Sequence, residues 1–354
     1  MTKICEPTDR GKDNWRSLTK KQQHDCTAWL AKRVSAPLKE QFANEILSVG
    51  FGIRERGIYS EREYLINEPV LIIRVNRKKK RPRKPFPLAI QASVPIEPGR
   101  YRVVAIPTDV RRQGGGLKAQ TQTHYVRMTG SKTEKRLRGS LAVLVRSNDD
   151  SDTLYALTCH HVAFLSSYDS LLRGEPYSIA AYKGEQYPGT MGHSSRGAKM
   201  APSPDYSTDA ALIRLATGSL ATSREFWPNQ PSFYAQTYGD LQERASAGAY
   251  ICNARQDWAQ VQITGARFDE VVTYSAGGKA LFSMLLEYIY LDDAPREGDS
   301  GGALLDANGC FLGMHVAGIT QAKQGFAIPA YKILGSSAFK PSLRLAHPVN
   351  YKNR

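Results

Sequence analysis

The run Gly298-Asp299-Ser300-Gly301-Gly302 has the composition of a turn that presents a nucleophile. Its serine stands among glycines, and the backbone amides of such a turn can point at a negatively charged oxygen as it develops on a substrate. A serine hydroxyl is a weak nucleophile at neutral pH unless a base removes its proton and a third group orients that base. The run therefore predicts acyl-transfer chemistry, provided that the chain also supplies a histidine and a carboxylate.

Two upstream segments supply these groups. In LYALTCHHVAF a strand-like run ends at His160 and His161, and in STDAALIRL Asp209 directly precedes an apolar strand-like run. Neighbouring residues of an extended chain point to opposite faces, so only one of the two imidazoles is expected to face the nucleophile. A partly buried carboxylate that accepts the proton of one imidazole nitrogen leaves the other nitrogen free to act as the base.

Together, the three segments resemble the motifs of the chymotrypsin-like (trypsin-like) serine peptidases of clan PA. LTCHHV is similar to the histidine motif of that family, TDAALIRL to its aspartate motif and GDSGG to its nucleophile motif. The order is His, Asp, Ser, and the spacing between the motifs is compatible with that fold. The resemblance covers roughly residues 120 to 350 and implies a serine endopeptidase with two six-stranded antiparallel β-barrels and with no metal or organic cofactor.

The resemblance also implies a role for each matching residue. The family's pattern Thr158-x-x-His selects His161 as the base, and Asp209 orients it. Ser300 attacks the scissile carbonyl, while the backbone amides of Gly298 and Ser300 form the oxyanion hole. Each segment taken singly has a structural alternative: a packed histidine, a turn aspartate, or a glycine loop chosen for positive φ.

The segment after the nucleophile carries the expected substrate pocket. His315, in CFLGMHVAGI, resembles the histidine of glutamyl endopeptidases, and the run is similar to the GMHVGG-like run of 3C-type cysteine proteases. Ala294 stands where trypsin has an aspartate, which argues against basic substrates. The resemblance therefore implies that His315, Ala294, Val316 and Gly318 bind substrate with Glu or Gln at P1, the residue whose carbonyl is attacked. The alternative is that His315 is a buried structural histidine.

Asp299 raises the question of activation. In secreted members of the family the corresponding acid pairs with a new N-terminus made by cleavage, but no IVGG-like start precedes the second half of this chain. Two alternatives remain at this point. Either Asp299 pairs with an internal basic side chain, or cleavage within the basic linker supplies an amine.

The elements that must position these residues divide the chain into two parts. Residues from about Trp15 to Val49 show helical periodicity, which is typical of a helical hairpin or of one long helix broken near Pro37, and short β-branched runs follow. The polar, glycine-bearing and basic segment near residue 118 is typical of a linker. We expect an α+β accessory or regulatory domain over residues 1–118 and a mainly β peptidase domain over residues 119–354.

Composition narrows the partners and the location. The net charge of +15 permits attraction to nucleic acid, and the basic run Arg77–Lys84 fits either a solvated loop, which we favour, or a nucleic-acid contact. The five scattered cysteines form no CxxC pair, so we expect reduced and mostly buried thiols. The polar N-terminus and the lack of a long apolar run predict a cytoplasmic protein without a membrane span.

These observations support two hypotheses. The leading one is a bacterial-type intracellular serine endopeptidase that cleaves specific protein partners through an acyl-enzyme intermediate. The N-terminal domain is expected to be a regulatory or partner-binding module. Because an unrestrained cytoplasmic endopeptidase would be toxic, we expect either a specific substrate or a gated active site. The alternative is a catalytically silent protein on a peptidase scaffold, which binds a peptide or nucleic acid.

Overall fold

The structure of the protein is a computed structural model. It describes residues 7–42, 45–58, 61–75, 85–112, 117–119, 126–129, 139–149, 152–163, 178–183, 186–197, 208–217, 222–224, 226–227, 229–246, 248–252, 258–274, 279–335, 339 and 342–349. The basic run Arg77–Lys84, for which the sequence favours a solvated loop over a nucleic-acid contact, lies outside the described residues.

The helices of the described residues are concentrated at the N-terminus. They are α1 Asp9–Arg16, α2 Lys20–Gln41, α3 His160–Ala163, α4 Tyr238–Ala245 and α5 Ala330–Leu334. A capping box starts α2, because the Thr19 side chain accepts from the Gln22 amide and the Gln22 side chain accepts from the Thr19 amide. None of these helices is long and apolar enough to span a membrane.

The structure differs from the helical prediction in two ways. The interruption lies between α1 and α2, where Thr19 caps the second helix, whereas Pro37 lies inside α2 without ending it. The helical region also ends at Gln41, and a strand begins at Ile46 instead of helix continuing to Val49. The alternative of one long helix broken near Pro37 is therefore wrong, because a cap three residues after α1 interrupts the helix first.

Strands make up most of the described residues. They are β1 Ile46–Ile58, β2 Glu61–Val75, β3 Ala89–Glu97, β4 Arg100–Arg112, β5 Leu117–Ala119, β6 Val126–Thr129, β7 Leu144–Ser147, β8 Tyr155–Thr158, β9 Ser178–Lys183, β10 Gln186–Gly197, β11 Ala211–Leu215, β12 Ala249–Cys252, β13 Trp258–Phe268, β14 Glu270–Thr273, β15 Lys279–Phe282, β16 Leu285–Tyr290, β17 Ala303–Asp306, β18 Phe311–Ile319, β19 Gln324–Pro329 and β20 Leu343–Leu345. This content confirms the mainly β class.

Six of these strands close into a barrel. The order β12-β13-β16-β19-β18-β17 is antiparallel throughout, and β17 pairs back to β12. Closure leaves the barrel without a free edge between these strands. One antiparallel six-stranded barrel of the expected kind is therefore present, and it carries both the nucleophile turn, which precedes β17, and the predicted pocket strand β18.

A second sheet carries the histidine and aspartate motifs. Its order is β20-β7-β8-β11-β10-β9-β6, and β8 pairs antiparallel with β11. His161 follows β8 and Asp209 precedes β11, so this pairing brings the two residues to the same end of neighbouring strands. Among the described strands β20 and β6 form the two edges of this sheet, so its closure into a second barrel remains a prediction.

The N-terminal strands continue the sheet of the closed barrel. β1 pairs antiparallel with β13, from Val49 opposite Phe268 to Gly52 opposite Gly265, and β2, β4 and β3 follow outward. Residues from α1, α2 and β1–β4 share one apolar core with β12, β13 and β16–β19. Strand pairing therefore crosses the boundary expected at residue 118, and the division into two domains remains a prediction.

Candidate active site

His161 and Asp209 form a buried hydrogen-bonded pair. The His161 Nδ1 atom lies 2.6 Å from the Asp209 Oδ2 atom, and the His161 backbone amide donates to the Asp209 Oδ1 atom at 3.1 Å. Asp209 is fully buried and has a φ of 39°, a left-handed conformation that non-glycine residues rarely adopt. A proton held on Nδ1 by this carboxylate leaves Nε2 as the basic nitrogen.

The two histidines of the motif lie in a helical turn and not at the end of a strand. β8 ends at Thr158, and His160 and His161 begin the short helix α3. His160 is buried, and it is the His161 ring that contacts Asp209. The alternation expected of an extended chain therefore does not apply here, although the structure places against Asp209 the same histidine that the sequence pattern selected.

Tyr274 is a third member of this cluster. Its hydroxyl donates to the Asp209 Oδ2 atom at 2.8 Å, and its ring packs edge-on against His161 with 5.0 Å between centroids. A hydrogen bond to the carboxylate from this side helps to hold its orientation toward the imidazole. Sequence reasoning missed Tyr274, because the segment VVTYSAGG that contains it matches no motif.

The nucleophile turn depends on its glycines. Gly298 has a φ of 99° and Gly301 a φ of 92°, values that favour glycine. A Cβ atom on Gly301 would lie 2.1 Å from the Ser140 carbonyl oxygen and 2.5 Å from the Thr158 Oγ1 atom. Gly301 is thus required both by its backbone conformation and by the close approach of the chain that leads to β7.

Ser140 joins the nucleophile turn to the histidine segment. Its amide donates to the Ser300 carbonyl at 2.7 Å, and its hydroxyl donates to the Gly298 carbonyl at 2.8 Å. The Ser140 carbonyl in turn accepts from the Thr158 hydroxyl at 2.7 Å. The turn and the end of β8 are therefore held together through one residue, which sequence reasoning also missed because a serine before an apolar strand is a common pattern.

The Ser300 hydroxyl is not hydrogen-bonded to His161 in this structure. The buried Ser300 hydroxyl donates to the Val316 carbonyl at 3.3 Å, and the buried His161 Nε2 atom has no hydrogen-bond partner among the described residues. The amides of Gly298 and Ser300 likewise donate to no other described residue. The His161–Asp209 hydrogen bond is thus formed. No hydrogen bond joins the Ser300 hydroxyl to the His161 Nε2 atom, and none joins either of them to the amides of Gly298 and Ser300.

His315 lies fully buried on β18 next to this group. Its Nδ1 atom is hydrogen-bonded to the Tyr288 hydroxyl, and its Nε2 atom is buried without a partner in the described part of the chain. Burial, with the charge of His161 as the second cause, lowers the pKa of His315 to about 3. Burial raises the pKa of Tyr288 well above its usual value. Both side chains are therefore neutral at pH 7, so one nitrogen of the His315 imidazole carries a proton and the other does not.

The other predicted substrate-binding residues surround the same strand. Val316 and Gly318 lie buried on β18, one on each side of Ala317. Ala294 is half-buried in the loop between β16 and β17, and the carbonyl of the next residue, Pro295, accepts from the Thr320 hydroxyl at 3.0 Å. This bond ties the Ala294 loop to the end of β18, so all four predicted pocket residues lie on or beside one strand.

The Asp299 carboxylate accepts hydrogen bonds from residues close to it in the sequence. It accepts from the Arg296 backbone amide at 2.8 Å and from the Tyr290 hydroxyl at 3.5 Å. The Arg296 side chain pairs instead with Asp293, at 2.6 Å between the guanidinium nitrogen and the carboxylate oxygen. These bonds place Asp299 inside the turn that shapes the nucleophile, and both activation alternatives remain open.

Cys159 completes a cluster that contains three types of metal ligand. One ligand atom each of Cys159, His161 and Asp209 lies within 4.8 Å of the others. Burial first, and the charge of Asp209 second, raise the pKa of the Cys159 thiol well above its usual value, and the thiol donates to the His315 carbonyl at 3.2 Å. A metal binds the thiolate and not the thiol, so this cluster fits the hydrogen-bonded pair better than a metal ion.

Comparison with known proteins gives solved structures only. No protein-family model and no curated protein sequence matches the chain. The active form of the Rv3671c protease from M. tuberculosis is 20% identical and matches over 64% of this chain and 82% of its own, with a TM-score of 0.35. The MamO protease domain from Magnetospirillum magneticum is 15% identical, over 59% and 93%, with a TM-score of 0.30.

A third solved structure belongs to the same class of protein. The serine endoprotease from Yersinia pestis is 17% identical, and the match covers 62% of each chain with a TM-score of 0.31. At such TM-scores these likenesses do not define the architecture of this chain. Its function must therefore be inferred from the residues of its own site.

Proposed function

We propose that the protein is a serine endopeptidase that hydrolyses peptide bonds through an acyl-enzyme intermediate, with Ser300 as the nucleophile, His161 as the base and Asp209 as the orienting acid. The observation that carries this proposal is the buried His161–Asp209 pair, which Ser140 and Thr158 connect to a glycine turn holding Ser300. A base, its orienting acid and a serine on such a turn form the constellation that acyl transfer requires.

The proposed reaction begins when the Ser300 hydroxyl leaves the Val316 carbonyl and turns toward the His161 Nε2 atom. Nε2 takes the hydroxyl proton as the oxygen attacks the substrate carbonyl carbon, and the amides of Gly298 and Ser300 donate to the developing oxyanion. The imidazolium, stabilised by Asp209, then gives its proton to the leaving amine. Water attacks the resulting ester by the same base-assisted route and restores the serine.

The neutral imidazole of His315 supports a preference for Gln over Glu at P1. A glutamine side chain offers an amide oxygen that can accept from an uncharged N–H donor, whereas a carboxylate buried beside a neutral imidazole lacks a compensating charge. Since the pKa of His315 is about 3, the imidazole remains neutral throughout the physiological range. We therefore include Gln, and less efficiently Glu, in the proposed specificity, with His315, Ala294, Val316 and Gly318 forming the pocket.

The proposal has further parts that come from the sequence. The sheet that carries the histidine and aspartate motifs forms the second barrel, residues 1–118 receive a regulatory partner, and the substrates are specific cytoplasmic proteins. The N-terminal part is packed on the closed barrel through a shared apolar core. Because of this packing, a partner that shifts the N-terminal helices or strands would also shift side chains of the barrel that carries the nucleophile.

Labelling with a fluorophosphonate probe tests the proposal. Wild type and the control Ser246→Ala, an exposed serine at the end of α4, should label equally, and Ser300→Ala should lose both labelling and peptide cleavage. Circular dichroism confirms that the variants are folded. If folded wild type neither labels nor cleaves a library of Gln- and Glu-containing peptides, the catalytically silent alternative replaces the enzyme.

A further inference from the structure

A cavity of about 690 Å³ lies where helix α2 meets the closed barrel. Its wall is formed by the first turns of α2, by α4 with the residues that follow it, and by β13, together with Ile53 of β1 and Leu291 after β16. This volume falls within the range of about 300–1,000 Å³ that is usual for small-molecule sites. The described residues that line it include none of the proposed catalytic or substrate-pocket residues, so the cavity is distinct from the candidate active site.

His24 lies in the wall of this cavity with a hydrogen-bonding atom that is not used. The residue is only 6% exposed, and its buried Nδ1 atom has no hydrogen-bond partner among the described residues. Burial, with the charge of Lys20 as the second cause, lowers the pKa of His24 to about 4, so the imidazole is neutral at pH 7. Since buried polar atoms of folded proteins nearly always have a partner, this nitrogen indicates a group that the described chain does not supply.

Two lysines line the cavity beside His24. Lys20 and Lys21 are the first two residues of α2, and the first turn of this helix contains no acidic side chain. The N-terminus of a helix carries a partial positive charge, which favours anions there and disfavours cations. In the part of the chain that the structure describes, neither ammonium group forms an ion pair. The helix terminus and the two lysines therefore create a positive field that lacks a counter-charge.

The rest of the wall limits the charge and the shape of a ligand. Glu243 of α4 is the one carboxylate among the described lining residues, so with Lys20 and Lys21 the cavity has a single net positive charge. β13 contributes the buried apolar side chains of Val261 and Ile263. A positive end beside an apolar wall suits a ligand that has one negatively charged head and an apolar body.

We propose that this cavity binds a small organic monocarboxylate, with its head at Lys20, Lys21 and His24 and its apolar body along Val261 and Ile263. A neutral imidazole can carry its proton on Nδ1 and donate it to a carboxylate oxygen, while the two ammonium groups supply charge-assisted hydrogen bonds. The inference does not rest on the proposed function, because no proposed catalytic residue takes part in it.

A bound carboxylate would contact two parts of the molecule at once. α2 belongs to the N-terminal part, and β13 is a strand of the closed barrel. α2 and α4 are already in close contact, since a Cβ atom on Gly239 would lie 2.6 Å from the Asp25 Oδ1 atom. A ligand that binds the folded state stabilises it in proportion to the logarithm of its concentration. The melting temperature should therefore rise as the carboxylate is added.

The test titrates octanoate into the full-length protein by isothermal titration calorimetry, with octanol and octylamine as comparison probes of the same chain length. Octanoate should bind one to one with a Kd between about 10 µM and about 1 mM, as expected for a ligand of about ten non-hydrogen atoms. Octanol lacks the charge and octylamine carries the opposite charge, so both should bind at least about tenfold more weakly.

Three variants locate the site. The double substitution Lys20→Gln with Lys21→Gln should weaken octanoate binding by about tenfold or more, because charge-assisted hydrogen bonds are lost. Ala245→Trp, in the α4 part of the wall, should prevent binding by filling the cavity. The matched control Lys32→Gln changes an exposed lysine of the same helix that does not line the cavity, and it should bind octanoate like wild type. Circular dichroism confirms that each variant is folded.

Three results would overturn the inference. The first is that folded wild type does not bind octanoate at concentrations up to about 10 mM. The second is equal affinity for octanoate and octanol, which would indicate an apolar groove and not an anion site. The third is octanoate binding that survives both the double lysine substitution and Ala245→Trp, which would place the ligand elsewhere on the protein. None of these measurements depends on fluorophosphonate labelling or peptide cleavage, so failure of this inference and failure of the proposed function are distinguishable.

Discussion

The substitution Tyr274→Phe tests whether this tyrosine positions the catalytic carboxylate. It removes one hydroxyl and keeps the ring that packs against His161 with 5.0 Å between centroids. The lost hydrogen bond ends on a fully buried carboxylate, and a hydrogen bond to a charged acceptor contributes about 1.5–3 kcal/mol. Complete loss of this bond in the transition state would therefore lower kcat/KM by a factor of about 10 to 150.

We expect a reduction of about tenfold, at the lower end of this range. Asp209 keeps two hydrogen bonds from His161, and the Tyr274 bond also stabilises the ground state, so only part of its energy is specific to the transition state. A triad that loses the orienting function of its carboxylate altogether loses about 10⁴ in turnover. A roughly tenfold decrease in kcat/KM thus distinguishes the role of the Tyr274 hydroxyl, which supports Asp209, from the role of the Asp209 carboxylate itself.

The assay is kcat/KM for a Gln-containing peptide from about pH 5 to about pH 9. Loss of the Tyr274 hydroxyl removes one of the hydrogen bonds that orient Asp209, so kcat/KM should be lower than that of wild type throughout this range. The control is Tyr331→Phe, which removes a hydroxyl bonded to the Met284 sulfur at 3.4 Å, outside the site. If Tyr274→Phe matches this control in rate and in pH profile, Tyr274 does not position Asp209.

Two other predictions concern specificity and the nucleophile turn. Because the pKa of His315 is about 3, its imidazole is neutral at pH 7, and a Glu side chain must be protonated to bind beside it. The ratio of kcat/KM for Gln peptides to that for Glu peptides should therefore fall as the pH decreases from about 8 to about 5. A constant ratio would show that His315 does not line the pocket. Gly301→Ala should lower the unfolding free energy by about 2–5 kcal/mol, since it adds both positive-φ strain and a steric clash. Gly309→Ala, at a φ of 75° with no atom within 4 Å of the added Cβ, should lose only the strain part, and equal losses in urea unfolding would show that the clash is relieved.

The sequence predicted the features that are local. Glycines at Gly298 and Gly301 indicate a turn of positive φ, and alternation with β-branched runs indicates strands, because each depends on neighbouring residues alone. The mainly β class is confirmed on this basis, whereas the closed antiparallel barrel, which is also confirmed, was implied by the family resemblance. The helix does not break at Pro37. The stronger local signal lies earlier in the chain, at Thr19, where a capping box starts the second helix.

The sequence by itself thus determined which kinds of side chain are present for acyl transfer and in what order they occur. Only the tertiary structure decided that Tyr274 donates to Asp209, that Ser140 holds the nucleophile turn, and that β5 lies against β18. These contacts join residues that are far apart along the chain, and no local pattern encodes which distant strands will pair. The hydrogen bond of the Ser300 hydroxyl has the same origin. Its acceptor, the Val316 carbonyl, is brought to the serine by the folded barrel and is not specified by the GDSGG run.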